Sequence, residues 1–235
     1  MIIDMHCHIL PGIDDGARDE GSMERMFRIA DAEGIDAIVA TPHYTLGQDE
    51  EELEAIKIKY DLARKAWRKR GSQKQLYLGS ELLWEDGIVE ALDSGKALTM
   101  NGTSYVLVEF LPDAGAMYIE NAMRRLQYAG YIPIIAHVER YMCLGKKGRV
   151  EALKMQGALC QMNVEALQGS FFDSESRRAK KMISKGQIDF LASDMHNLTS
   201  RPPIQDEGLV WLYKNTTPEY QEKLLGGNCK ELFLK

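Results

Sequence analysis

Short apolar runs rich in β-branched residues alternate with helical patterns along this chain, and that alternation constrains its fold more than any other feature. The runs cover residues 2–5, 37–40, 76–79, 105–110, 132–136, 158–163 and 188–193. Between the first two, Met23, Met26, Phe27 and Ala30 repeat at helical spacing, and after the second so do Leu53, Ile56, Tyr60, Ala63 and Trp67. The latter segment opens Asp49-Glu50-Glu51-Glu52 and closes Arg68-Lys69-Arg70, charges that suit the two ends of a helix macrodipole. Further helices are expected over 86–92, 116–129, 149–155, 174–184, 204–214 and 218–225. Gly34, Gly71, Gly130, Gly157 and Gly186 each follow a helical pattern and precede a strand, where helices stop. Alternation of this regularity predicts parallel strands, in a barrel or an open doubly wound sheet. With no linker or composition shift over 235 residues, the expectation is one α/β domain.

Parallel α/β folds collect function at the carboxyl ends of their strands. Those ends read His6 and His8, Thr41-Pro42-His43, Gly79-Ser80-Glu81 and Val108-Glu109-Phe110. They continue with Ala136-His137-Val138-Glu139-Arg140, Asn163-Val164-Glu165 and Ala192-Ser193-Asp194-Met195-His196. All five histidines of the chain belong to this set. In an extended strand His6 and His8 share a face while Met5 and Cys7 point the other way. A core histidine explains any one of them, but not all five on one rim. Glu81, Glu109 and Asp194 each follow an apolar strand, and carboxylates converging on a rim repel one another and lose solvation. Multivalent cations remove that cost. Mixed imidazole and carboxylate donors suit Zn, Mn or Fe rather than a site for Ca alone, and no thiolate cluster favours Zn specifically. Asp14-Asp15, in a Gly-flanked turn, brings the tally to about nine candidate ligands, enough for two or three ions.

A net charge of -6 argues against a surface that coats nucleic acid, which would be basic. It is too mild for disorder at 45% hydrophobic residues. Cys7, Cys143, Cys160 and Cys229 are scattered with no C-x-x-C, so neither a disulfide framework nor a zinc knuckle is expected. No basic-then-apolar leader and no apolar run of spanning length is present, which predicts a cytoplasmic protein without membrane insertion.

Taken with Asp4-Met5-His6-Cys7-His8, Asp14-Asp15-Gly16 and Arg201-Pro202-Pro203, these strand ends resemble the PHP (polymerase and histidinol phosphatase) superfamily. Within it the chain is similar to the bacterial manganese-dependent protein-tyrosine phosphatases of the capsular and exopolysaccharide, CpsB-like, type. The segments His137-Val138-Glu139-Arg140-Tyr141 and Asp194-Met195-His196-Asn197 carry that subgroup resemblance. It runs from the first residues to about Pro203.

The resemblance implies an α/β fold, a distorted (β/α)7 barrel of the PHP type; the expectation is a single domain over residues 1–235, its last thirty or so residues a helical extension that carries no family motif. It implies three Mn2+ ions, with Fe, Zn or Mg as possible substitutes. His6, His8, Glu81 and Asp194 map onto one ion, and Glu81 bridges to a second held by Glu109 and His137. Asp15, His43 and His196 map onto the third, although Asp14 is an alternative to Asp15. Arg140 occupies the family's phosphate-binding position, and Arg201, past the last strand end, is a second candidate. The implied reaction is hydrolysis of phosphotyrosine on a protein, a membrane-linked tyrosine kinase of polysaccharide export, by a hydroxide bridging the ions. Arg140 would hold two phosphoryl oxygens through its planar fork. Tyr44, Phe110 and Tyr141 lie beside motif residues as candidate walls of an aromatic cleft.

Three rival chemistries share parts of this pattern. Cys143 and Arg149 have the C-x5-R spacing of cysteine-based tyrosine phosphatases, a mechanism that needs a depressed thiol pKa. A metal-dependent amidohydrolase also starts with HxH, but usually carries a strand-end lysine where this chain has Glu81 and Glu109. A histidinol-phosphate phosphatase of the PHP type would share the metals and differ in substrate.

Overall fold

The computed structural model describes residues 1–169, 172–203 and 206–234. The chain runs through β1 (Ile2–Cys7), α1 (Glu20–Ala32), β2 (Ile35–Ala40), β3 (His43–Tyr44), α2 (Glu50–Arg68), β4 (Gln75–Leu78) and β5 (Glu81–Leu83). It continues with α3 (Ile88–Asp93), β6 (Tyr105–Glu109), α4 (Ala116–Tyr128), β7 (Ile132–Ile135), α5 (Arg149–Met155), β8 (Leu159–Asn163) and α6 (Ser174–Ser184). It closes with β9 (Phe190–Ala192), α7 (Asp206–Asn215), α8 (Pro218–Glu222) and α9 (Asn228–Phe233). The expected helix over 204–214 is α7, with Ile204 itself outside the described residues. None of the described helices is long and apolar enough to cross a membrane.

Every strand pair is parallel, in the orders β1-β2-β4 and β3-β5-β6-β7-β8-β9. The two sheets are parts of one barrel. Strand β2 continues into β3 across Thr41-Pro42, where proline lacks an amide for the ladder. Strand β4 continues into β5 across Gly79-Ser80, and Glu81 N–H still donates to Pro42 O at 3.1 Å. Counted this way, seven staves stand side by side. The seam between β9 and β1 closes through a Cys7–Met195 bridge, with His8 N donating to Met195 O and Asp194 N to His6 O, each at 2.9 Å. The expected distorted seven-stave barrel is the observed one.

Alternation along the staves sorts two cores. Ala37 and Val39, Leu107, Ile134 and Ala136, Phe190 and Ala192 fill the barrel interior. Ile38, Val106, Val108, Ile135 and Leu191 face the helices instead. Of the helical residues expected to be apolar anchors, Met23, Met26, Phe27 and Ala30 on α1 and Ile56, Ala63 and Trp67 on α2 are buried, while Leu53 and Tyr60 are half-buried at the edge of that face. Phe27 and Trp67 join the two helices, ring centroids 4.9 Å apart. Helix α2 begins with a capping box between Asp49 and Glu52, so its acidic start satisfies end amides as well as the dipole.

Two elements differ from expectation. Met5 joins the interior while Cys7 packs outside, because the β1–β2 register slips between Asp4 and Cys7 and alternation fails there. The segment 218–225 is not one helix: α8 passes through a wide turn at Lys223–Gly227 into α9. That turn presses Gly226 against the start of β1, where a Cβ would meet Met1 O at 2.6 Å. Cys229 of α9 thereby reaches the interior cluster and closes the amino end of the barrel.

Candidate metal centre

At the opposite, carboxyl end, the staves deliver polar side chains into one bowl. His6 and His8 leave β1 with their Nε2 atoms 3.3 Å apart. Both face Glu81 Oε2, at 3.1 and 3.2 Å, and Asp194 Oδ1, at 3.5 Å each. His43 Nδ1 lies 3.2 Å from both Glu81 Oε2 and Glu109 Oε1, and its Nε2 is 3.3 Å from Asp15 Oδ1. His137 Nε2 sits 2.9 Å from Glu81 Oε1 and 3.6 Å from Glu109 Oε2. His196 Nε2 is 3.2 Å from Asp15 Oδ1. All nine expected ligands therefore meet in one place. Eight of them group by donor atoms as His6, His8, Glu81 and Asp194; as His43, Glu81 and Glu109; and as His8, Asp15, His43 and His196. His8, His43 and Glu81 each belong to two groups. His43 takes the place beside Glu81 and Glu109 that the resemblance gives to His137, which stands outside the groups with Nε2 against Glu81 and Glu109.

The tautomers are set from behind. Gln161 Oε1 accepts the backbone N–H of His137 at 2.7 Å, so it also accepts from His6 Nδ1, at 3.1 Å. Asp14 Oδ2 takes the Nδ1 proton of His8 at 2.7 Å, and the Asp194 carbonyl that of His196 at 2.8 Å. In each ring Nδ1 has a protein acceptor, which leaves Nε2 to face carboxylate oxygens. Such an Nε2 needs a positive charge beside it, a proton or a bound cation. The buried Asp194 Oδ1 and His196 Nε2 have no hydrogen-bond partner among the described residues. Imidazole and carboxylate donors at these spacings fit divalent cations.

The electrostatics state the same demand for positive charge. Burial pulls the His6 pKa down, but Glu81 and Asp194 take it up to about 9. Burial likewise opposes His43, which Glu109 and Glu81 raise to about 11. Against the cost of burial, His6 and the other imidazoles hold Glu81 well below the usual carboxylate range and Asp194 at about 2. His196 goes the other way, lowered to about 4 by burial and by the neighbouring His8. The backbone is strained at the same place: His137 and Asp194 adopt φ of 32° and 52°, left-handed values unusual outside glycine.

Arg140 follows β7 and donates from Nη2 to Asp194 Oδ2 at 3.0 Å; Arg201 donates to Asp15 Oδ2 at 3.1 Å. Both guanidinium groups sit at the rim, about a third exposed, with side-chain values of 34% and 30%. A cavity of about 500 Å³ opens beside Arg140, lined in part by Glu139, Asn163 and Glu165. Glu139 is buried and pushed up to about 7 by that burial, and it accepts from Asn163 N rather than pairing with Arg140.

In the sequence Asn163 is a strand end without an assigned role, and Gln161 carries no motif. Gln161 and Asn163 form a relay on β8: Gln161 Nε2 donates to Asn163 Oδ1, and Asn163 Nδ2 to Asp194 Oδ2, each at 2.8 Å. A polar pair two residues apart inside an apolar strand was the available signal. Asp14 and Asp15 separate cleanly: Asp14 stands behind His8, while exposed Asp15 faces His43 and His196. The aromatic cleft is not formed by the expected residues. Tyr44, Phe110 and Tyr141 are core, and the Tyr141 hydroxyl accepts from Phe110 N at 2.9 Å below His137. Cys143 lacks the features of a nucleophile: burial raises its thiol pKa, and Arg149 is paired with Glu120 at 2.9 Å.

The chain matches, over residues 2–234, the family model described as capsular polysaccharide synthesis, CpsB/CapC. The tyrosine-protein phosphatase YwqE of Bacillus subtilis (strain 168) is 34% identical over 214 residues, 91% of this chain and 84% of that protein. A crystal structure from work on YwqE of Bacillus subtilis and CpsB of Streptococcus pneumoniae, described as metal-dependent tyrosine phosphatases, aligns with a TM-score of 0.87. Identity there is 32%, covering 99% of this chain and 94% of that one. The phosphotriesterase of Mycobacterium tuberculosis, at 13% identity and a TM-score of 0.59 over 99% and 93% of the two chains, shares the fold alone. With its barrel, its bowl and a family match over nearly its whole length, the chain belongs to the CpsB/CapC family.

Proposed function

We propose that this chain, as one unit over residues 1–235, is a metal-dependent protein-tyrosine phosphatase acting in the cytoplasm. The observation that carries the reading is the convergence of five imidazoles and four carboxylates from around the barrel rim into one bowl. His6, His8, Asp15, His43, Glu81, Glu109, His137, Asp194 and His196 hold the cations, three Mn2+ ions in this reading, with Fe, Zn or Mg as substitutes. When bound, such ions lower the pKa of water from 15.7 toward about 7 and neutralise charge on the phosphoryl oxygens. Gln161, Asp14 and the Asp194 carbonyl keep three imidazoles turned the productive way. Arg140 and Arg201, now bonded at the rim to Asp194 and Asp15, would bind phosphoryl oxygens on release from those carboxylates. A tyrosine leaving group has a pKa of about 10, so little protonation is needed for it to depart.

The family's description as capsular polysaccharide synthesis supports a tyrosine kinase of polysaccharide export as the phosphorylated partner. With cations held by these residues, the site would supply the activated water and the charge neutralisation that phosphomonoester hydrolysis needs. The test is hydrolysis by the metal-loaded protein of a phosphotyrosine peptide, a phosphoserine peptide and histidinol phosphate, with and without chelator. Turnover of the phosphotyrosine peptide, lost with chelator and retained in Cys143→Ser, is the expected result. Turnover of histidinol phosphate alone would overturn the substrate, and chelator-resistant, Cys143-dependent turnover would overturn the chemistry.

A further inference from the structure

Just outside Arg140, the chain builds a groove of about 590 Å³ between the 142–148 segment and α6. Met142, Gly145, Lys146, Arg177, Arg178 and Lys181 line it, with no carboxylate among the described lining residues. A second recess continues along the same wall and adds Lys147 and Lys185. On a chain of net charge -6 this is a local reversal of sign. Lys185 is partly offset by Glu151 at 3.5 Å, whereas Lys146, Lys147 and Lys181 are exposed. The groove is also anchored. Arg178 Nε donates to the carbonyl of Glu139, the residue before Arg140, at 2.8 Å. Its stem lies against Gly145 so closely that a Cβ there would meet Arg178 Cδ at 2.8 Å. The floor of the groove is thus tied to the backbone that presents Arg140 at the bowl, with exposed Met142 between them.

We infer that this groove docks acidic residues flanking the phosphotyrosine of the substrate polypeptide, an inference that rests on the phosphatase reading above. Cations crowded along one wall repel one another, and an anionic segment laid among them removes that repulsion and steers the encounter. A recess between a loop and a helix admits one extended segment, whereas an anionic bilayer needs a protruding basic face. The groove adjoins the backbone that carries Arg140, within reach of a chain whose phosphate sits there.

The test compares equal-length phosphotyrosine peptides with acidic or neutral flanks, p-nitrophenyl phosphate, and anionic phosphatidylglycerol vesicles. The proteins are metal-loaded wild type, a Lys146→Ala/Lys147→Ala/Arg177→Ala/Lys181→Ala variant and a Lys146→Glu/Lys181→Glu variant. The wild type should show KM for the acidic peptide about tenfold below the neutral one, the worth of roughly two ion pairs, with kcat unchanged. The alanine variant should lose that preference and keep p-nitrophenyl phosphate turnover within about twofold, and the glutamate variant should reverse it. Equal KM for both peptides in the wild type overturns the inference and leaves the phosphatase reading standing. So does a preference that survives the alanine variant, or vesicle binding lost in that variant with no peptide preference. Absence of any phosphotyrosine turnover removes both readings.

Discussion

Gln161 does for His6 what Asp14 does for His8: each takes the Nδ1 proton and leaves Nε2 facing the bowl. Partners of this kind are worth about 10–100-fold in metal affinity. Gln161→Leu keeps the volume and removes the acceptor, so titration with Mn2+ should give a dissociation constant raised by about that factor, with the far-ultraviolet circular dichroism of the wild type. Unchanged affinity would mean the amide is only packing. Arg140 makes a different prediction. A lysine keeps the positive charge near Asp194 but loses the planar fork, so Arg140→Lys should retain metal content and lose turnover, by at least about tenfold. Full activity in that variant would remove Arg140 from phosphate binding. Residue types at strand ends were enough to find the five imidazoles and Glu81, Glu109 and Asp194, because imidazoles and acids that close apolar strands are too costly to bury for packing alone. The choice of Asp15 and the partition among ions came from the family resemblance. The supporting residues were harder to read. Asp14 and Asp15 are chemically identical in the sequence, and only the turn that buries one of them against His8 tells them apart.

Turns and caps decide how the staves present these groups. Gly16 lies against His8 so closely that any Cβ would fall onto the His8 carbonyl and side chain. Gly16→Ala should therefore displace His8 or the turn carrying Asp14 and Asp15, lowering both the melting temperature and metal occupancy, as calorimetry and elemental analysis would show. A variant with native values for both would contradict that packing. The strand–helix rhythm was legible from the apolar periodicity alone, and so was the direction of every strand. What it did not contain was the slip in β1, which depends on pairing with β2, nor the breaks that turn two staves into β2–β3 and β4–β5. The C-terminal segment was the least readable part, since its burial is against a surface built by residues at the other end of the chain. There α9 and the turn before it cover the amino end of the barrel, with Leu224 and Cys229 fully buried. Leu224→Ala should cost about 2–5 kcal/mol in denaturant unfolding, the range for a buried leucine that leaves a cavity. A cost below about 0.5 kcal/mol, typical of surface positions, would show that the plug is not part of the cooperative core.

As a whole the molecule is a closed apolar barrel with a floor of hydrocarbon and a mouth where charge is concentrated. Its pH behaviour without metal follows from the mouth. His6 and His43 have folded pKa values of about 9 and about 11 against 6.5 for the free side chain. Their contribution is complete below pH 6.5 and lost as pH rises through those folded values. Asp14, at about 2 against 3.8, contributes above pH 3.8 and is lost as pH falls through about 2. The metal-free protein should therefore melt at a lower temperature at pH 9 than at pH 6.5, and the metal-loaded protein should show a smaller difference. Cations and protons compete for the same imidazoles, so apparent metal affinity should rise over that interval with release of protons. A metal-free melting temperature that rises toward pH 9 would mean the imidazoles are not paired with these carboxylates. At the largest scale, nine side chains converge at the barrel mouth, where, under the proposed function, they would hold a cluster of cations in one bowl. Anomalous diffraction at the manganese edge, from active crystals grown with Mn2+, tests this most directly. Peaks are expected inside the bowl, beside His6 and His8, between Glu81 and Glu109, and near His43 and His196; active crystals with no manganese among these residues would contradict it.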